Sequence, residues 1–211
     1  MVFNEPTKRF FNNIPYIFIS QCNTSYKGNK VCNTRIVCRK PFQMSKSFQW
    51  YLTRDNFLSE SECQEIIDIV DSGRDNLEPT QAIELKEDKY LNKVWKIMKL
   101  SNDIHYNFDI DCVQLQEGKY YKKGVFKEED TLHSDFAAGP DRLVGINTKL
   151  TSVVFLNDDY WGGGLQIWND KIESKQGRIV IFPAFAAHKV LQFHDKDRYT
   201  MLTWIQGKTF R

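Results

Sequence analysis

Histidine is scarce in this sequence, and long apolar runs are absent. Only four histidines occur in 211 residues, so chemistry that needs an imidazole has few places to sit. No apolar stretch approaches the roughly 20 residues that cross a bilayer. The N-terminal region also lacks the succession of a secretory signal; residues 14–19, its most apolar piece, are too short and too far from any cleavage-like site. Neither a membrane span nor export is expected. The five cysteines (Cys22, Cys32, Cys38, Cys63, Cys112) are odd in number and lack Cys-x-x-Cys spacing. They read as reduced thiols of a cytoplasmic protein, the alternative being a disulfide or zinc site among Cys22, Cys32 and Cys38. No internal repeat or low-complexity tract is present.

The charge is unevenly spread. Residues 1–48 hold eight Lys/Arg and one acid, Glu5, for a net +7; the remainder has 21 basic and 26 acidic residues, for a net −5. Phe10, Phe11, Tyr16, Phe18, Tyr26 and Phe42 are interleaved with the basic residues. Such a segment suits contact with nucleic acid or another phosphate-bearing partner. The plainer alternative is an extension lying on the main domain or on a second subunit, its charge solvated. The expected division is therefore a basic extension, 1–48, and one domain, 49–211, large enough to bury a substantial core. Within that domain, residues 49–110 supply a strand and supporting helices, and 111–211 the β-rich core.

Within residues 49–211 the hydrophobic period changes. Residues 50–58 read as an opening strand. Ser59-Glu-Ser-Glu62 then precedes Cys63, Ile66, Ile67, Ile69 and Val70 and ends at Gly73, an N-cap with acids in the first turn and a glycine stop. Residues 71–87 are polar and read as a loop. Leu91, Val94, Trp95 and Met98 recur at helical spacing in a second helix over 88–104. Both apolar stripes are expected to pack on the outer face of a sheet. From residue 150 onward short β-branched and aromatic runs take over: 150–157, 165–168, 177–183 and 198–205, separated by Gly, Pro and Asp. That spacing predicts an all-β sandwich or barrel.

Three polar residues carry the candidate chemistry. In His133-Ser-Asp135 the histidine and carboxylate stand two apart, so extended backbone puts both on one side. His188, after the run 177–183, can complete a set of three. Two imidazoles and a carboxylate on one face of a metal is the arrangement of non-haem Fe(II) oxygenases, leaving the opposite face open to co-substrates. Alternation also sets Arg198, Thr200, Leu202 and Trp204 on one face of the last strand, where an inward guanidinium would suit a carboxylate. His105 and His194 read as packing or surface residues.

A bare His-x-Asp is weak, but here it belongs to an ordered series. It is followed by Phe155-Leu-Asn-Asp-Asp-Tyr-Trp-Gly-Gly-Gly-Leu-Gln-Ile167, then Gly177-Arg-Ile-Val-Ile-Phe-Pro183, His188, Arg198 ten residues later, and Trp204-Ile-Gln-Gly207. This series resembles the Fe(II)/2-oxoglutarate-dependent oxygenases of the prolyl 4-hydroxylase type, most closely the branch found in bacteria and phages. The resemblance runs from residue 50 to 211 and implies a double-stranded β-helix, or jelly roll, with flanking helices. It implies His133, Asp135 and His188 as iron ligands, with Arg198 on the distal carboxylate of 2-oxoglutarate. Fe(II), 2-oxoglutarate and O2 are the implied cofactors, with ascorbate as an accessory reductant. The implied reaction hydroxylates a C–H bond while 2-oxoglutarate becomes succinate and CO2.

Departures from the family pattern refine these expectations. Leu115 stands where relatives often have a tyrosine on 2-oxoglutarate, so that hydrogen bond is either missing or supplied by Gln114 or Gln116. Residues 124–132 are extra, either a lid or recognition loop beside the metal or a plain surface loop. Gly164 replaces a common glutamate. Asp135 favours hydroxylation, because halogenating relatives carry a small residue there. Trp204 occupies the place of a second arginine found in relatives that repair alkylated bases, which argues against base demethylation. Trp204 and Val190 are expected to line the iron pocket, and Thr151 or Thr200 to offer a hydroxyl to the co-substrate carboxylate. A peptidyl side chain such as proline is the favoured substrate, by analogy of fold. The alternatives are a small-molecule, nucleotide or nucleic-acid hydroxylase, or an inactive jelly roll used for binding. No membrane partner is expected.

Overall fold

Alternation along one strand organises the fold. In β11 (Arg198–Lys208) Tyr199, Met201 and Ile205 join a core shared with the helices, whereas Leu202 joins a second core on the opposite face. The strand therefore has an outer, helix-covered side and an inner side that carries Arg198 and Thr200. A computed structural model describes residues 50–75, 78–124, 132–136 and 146–209. The basic segment 1–48, with Cys22, Cys32 and Cys38, lies outside the described residues, as does nearly all of the stretch 124–132.

The other strands are β1 (Leu52–Arg54), β2 (Thr80–Glu84), β3 (Cys112–Tyr121), β4 (Ile146–Phe155), β5 (Trp161–Gly162), β6 (Leu165–Ile167), β7 (Asp170–Ile172), β8 (Ile179–Pro183), β9 (His188–Val190) and β10 (Phe193–His194). They pair antiparallel in a six-stranded sheet, β1-β8-β4-β11-β3-β2, a three-stranded sheet, β7-β6-β9, and a two-stranded β10-β5 ribbon. The inner face of the large sheet (Val153, Phe155, Val180, Phe182) packs on Leu165, Ile167 and Ile172 of the three-stranded sheet. Two antiparallel sheets face to face make the expected jelly roll.

Two helices cover the outer face. In α1 (Glu60–Gly73) Ser59 and Glu62 form a reciprocal capping box, with Ser59 N–H donating to Glu62 Oε2 at 2.8 Å and Glu62 N–H to Ser59 Oγ at 3.2 Å. Cys63, Ile66 and Val70 of α1, with Tyr90, Val94 and Met98 of α2 (Asp88–Ser101), pack on Leu150, Val154, Ile179, Ile181 and Met201. The helices are tied together by Lys93–Glu62 and Lys89–Glu65 ion pairs, each at 2.7 Å.

Several boundaries differ from expectation for identifiable reasons. The polar stretch 71–87 contains β2, whose alternation is muted because it is an edge strand with only Gln81 and Ile83 half-buried. The expected second helix stops at Ser101 and continues as a wider turn, Asn102–Tyr106, closed by Asn107 at φ 54°. Buried Asn102 fixes that exit by bonding both the N–H and the carbonyl of Phe108, each at 2.9 Å. The opening strand shrinks to β1, and the run 165–168 ends at Ile167, since Trp168 turns out of the sheet at φ 51°.

Candidate metal and co-substrate site

His133 belongs to a short irregular segment, yet its backbone is held like a strand. Its N–H donates to the His188 carbonyl at 3.0 Å and its carbonyl accepts from the His188 N–H at 2.9 Å. Since His188 also pairs with Ile167 of β6, β9 is fixed on both sides and the two imidazoles face each other, ring centres 4.3 Å apart. Asp135 closes the group: Oδ1 lies 3.3 Å from His133 Nε2 and Oδ2 lies 3.6 Å from His188 Nε2. One ligand atom from each residue falls within 4.8 Å of the others. Three donors this close together suit a single ion between them.

The surroundings prepare the donors. His188 is buried, and its Nδ1 donates to the Ala186 carbonyl at 2.9 Å, which leaves the Nε2 lone pair directed at Asp135. Burial, helped by His133, lowers the His188 pKa more than Asp135 and the Ala186 carbonyl raise it, so the ring is kept neutral. For Asp135, burial pushes the carboxyl up, but His133, His188, Thr151 and Trp204 together outweigh it, and the net shift is downward. A neutral imidazole and an ionised carboxylate are the forms that bind a metal. His133 is the exposed member, its side chain 54% accessible against 11% for Asp135, so the site opens on its side.

Thr151 corrects the expectation made for it. Its Oγ1 donates to Asp135 Oδ2 at 2.6 Å, so the hydroxyl proton serves the carboxylate of the triad instead of a co-substrate. Gln114 and Gln116 also fail as replacements for a missing tyrosine. Gln116 faces the helices and donates to Thr203 Oγ1 at 2.9 Å. Gln114 is exposed, accepts from Thr148 Oγ1 at 2.9 Å, and sits where the β3–β11 register slips between Leu115–Trp204 and Val113–Ile205. His105 and His194 stay on the surface, the latter stacked on Trp161.

The inner face of β11 carries Trp204, which contacts Asp135, and at the start of the strand Arg198. Arg198 is 1% exposed, and no carboxylate among the described residues pairs with it. Its Nε donates to the Gly163 carbonyl at 2.9 Å, and its guanidinium lies 5.0 Å from the Tyr121 ring centre and 5.6 Å from that of Phe155. Gly163 has φ 68°, and a Cβ there would sit 2.3 Å from the Tyr160 ring, so only glycine lets this carbonyl approach. Arg198 Nη1 and Thr200 Oγ1 are both buried without a hydrogen-bond partner. A buried cation without a counter-charge costs several kcal/mol, which an incoming carboxylate would offset through paired charge-assisted bonds. Val190, two residues inward from His188, packs with Tyr121, Tyr160 and Phe193 at this end. Among these aromatics, Tyr121 and Tyr160 are not singled out by the sequence motifs. The alternation of β3 hinted at Tyr121, but nothing local marked Tyr160.

Comparison with known proteins agrees with this geometry. The family model described as the 2OG-Fe(II) oxygenase superfamily matches residues 119–206, a span that includes the triad and Arg198. No curated protein matches the chain. Among solved structures, the viral collagen prolyl hydroxylase of Paramecium bursaria Chlorella virus-1, as its 2OG complex, aligns with a TM-score of 0.61 at 16% identity, covering 77% of this chain and 97% of that one. A Pseudomonas putida prolyl-4-hydroxylase aligns with a TM-score of 0.58 at 17% identity, covering 77% and 94%. Site and family match define the class: a 2-oxoglutarate-dependent dioxygenase using Fe(II), 2-oxoglutarate and O2. Within it, residues 119–206 are similar to the 2OG-Fe(II) oxygenase superfamily, and the fold is similar to that of the prolyl hydroxylases.

Proposed function

We propose that the chain hydroxylates a peptidyl side chain, proline being the favoured one, with His133, Asp135 and His188 holding the iron and Arg198 the distal carboxylate of 2-oxoglutarate. The observation that carries the site assignment is the pairing of a three-donor cluster within 4.8 Å with a buried, uncompensated guanidinium further along the same barrel. When bound, Fe(II) with 2-oxoglutarate and O2 supplies the oxidation of a C–H bond, coupled to formation of succinate and CO2. The protein's part is binding and orientation. Thr151 keeps Asp135 ionised and aimed, the Ala186 carbonyl fixes the His188 tautomer, and Thr200 offers a second polar contact beside Arg198. Leu202 and Val190 give the co-substrate chain an apolar wall.

The peptidyl reading draws on the two structural neighbours, both prolyl hydroxylases, and on an aromatic rim. Trp168 follows the strand paired with His188, and its N–H donates to the Ala187 carbonyl at 2.8 Å. Trp50 lies 5.7 Å from Trp168 and 6.5 Å from Phe185, ring centre to ring centre, and both tryptophans are more than two-fifths exposed. Extended proline-rich segments dock on such aromatic surfaces at little entropic cost. We hold to the division at residue 48 and to a cytoplasmic location; no described helix is long and apolar enough to cross a membrane. The test is a screen of peptide, amino-acid and nucleotide pools with Fe(II) and 2-oxoglutarate, read as an oxygen-atom mass gain. Gain on proline-containing peptides is expected; gain confined to nucleotides or free amino acids would overturn the peptidyl reading.

A further inference from the structure

The end of the barrel that holds Arg198 contains one more buried polar atom without a partner. Tyr160 is 6% exposed, and its hydroxyl, like Arg198 Nη1 and Thr200 Oγ1, makes no hydrogen bond. The ring cannot swing away. Its edge rests on Gly163, the residue whose carbonyl receives Arg198 Nε, and its faces pack with Tyr121, Val190 and Phe193. The Tyr160 and Phe193 ring centres are 5.8 Å apart.

Donor and acceptor counting shows what the phenol can do there. A guanidinium only donates, so Tyr160 can offer Arg198 a lone pair but never its proton. Burial raises the Tyr160 pKa more than the nearby Arg198 charge lowers it, so the proton stays on the phenol. Ser174, the other hydroxyl close by, already donates to the Gly162 carbonyl at 3.1 Å. Phe155, which also flanks the guanidinium, brings no polar atom. A buried donor left idle is costly, and a carboxylate on Arg198 has lone pairs that one arginine and one threonine do not exhaust.

We propose that Tyr160 is a third anchor of the distal carboxylate, its phenol hydrogen bonding the group that Arg198 and Thr200 also hold, so that it helps select a diacid over a 2-oxo monoacid. The inference rests on the assignment of Arg198 to 2-oxoglutarate. Its test compares 2-oxoglutarate with 2-oxopentanoate, the same backbone ending in a methyl group, by anaerobic calorimetry on the Mn(II)-loaded protein. Tyr160→Phe should weaken 2-oxoglutarate about tenfold, the size of one buried bond to a charged group, and leave 2-oxopentanoate unchanged. Unchanged 2-oxoglutarate affinity, or equal loss on both ligands, overturns the proposal, the second because it reports pocket shape alone. A second readout needs no substitution: 2-oxoglutarate, but not 2-oxopentanoate, should perturb the near-UV tyrosine absorption, and equal spectra would overturn the proposal. If the unsubstituted protein does not prefer the diacid, the Arg198 assignment fails and takes this inference with it; full preference retained in Tyr160→Phe defeats the inference alone.

Discussion

Replacing Thr151 with valine separates two readings of one hydroxyl. The side chain is 1% exposed on β4, and valine keeps its β-branched shape, suited to a strand, while removing the hydroxyl. What is lost is the 2.6 Å bond to Asp135 Oδ2. A hydrogen bond to a charged group contributes about 1.5–3 kcal/mol, and partners behind metal ligands commonly change metal affinity about 10–100-fold. Thr151→Val should therefore weaken Mn(II) or Fe(II) binding roughly 10–100-fold, because Asp135 then ionises less readily and is less firmly aimed. The assay is anaerobic competition against a fluorescent chelator, with circular dichroism to verify the fold. Once metal is saturating, 2-oxoglutarate affinity should be near normal. Had Thr151 served the co-substrate carboxylate, the pattern would reverse, with metal affinity intact and 2-oxoglutarate weakened. That reversed pattern would refute the reasoning.

Other perturbations probe the scaffold and the thiols. Gly118 lies in β3 beneath α1, and a Cβ there would sit 2.2 Å from Val70 Cγ2; Gly118→Ala should cost about 1–3 kcal/mol by overpacking, with partial recovery on adding Val70→Ala, both read by urea denaturation. Cys63 is buried with its thiol pushed up to about 11, chiefly by burial, whereas Cys112 is exposed. Iodoacetamide on the native protein should therefore label Cys112 and spare Cys63 in a peptide map; rapid labelling of Cys63 would show that α1 opens readily. Arg198→Ala should retain metal affinity while 2-oxoglutarate affinity falls at least tenfold, measured by the same calorimetry.

The grouping of His133, Asp135 and His188 could be read from sequence because histidine is rare and local backbone periodicity suggests the direction of each side chain. His133 and Asp135 are two apart, and His188 and Arg198 follow or open strands rich in β-branched residues. Those signals are local, and the jelly roll brings the residues together much as alternation implies. Tyr160 could not be placed this way. Its direction depends on the turn through Gly162 and Gly163, both at positive φ, and on a contact with Arg198 nearly forty positions later. Gln114 sits at the one-residue slip between β3 and β11, which no local period shows, whereas Gln116 stays in register with Thr203 and so faces the helices. Strands of two or three residues, such as β5, β7 and β10, are too short for any period to show.

The most direct measurement is an anaerobic titration of Fe(II) and 2-oxoglutarate into the protein, followed in the visible range. A saturable charge-transfer band is predicted in the unsubstituted protein, absent in Asp135→Ala and requiring far more 2-oxoglutarate in Arg198→Ala. No band in the folded, unsubstituted protein, or an undiminished band in Asp135→Ala, would contradict the assignment of this site.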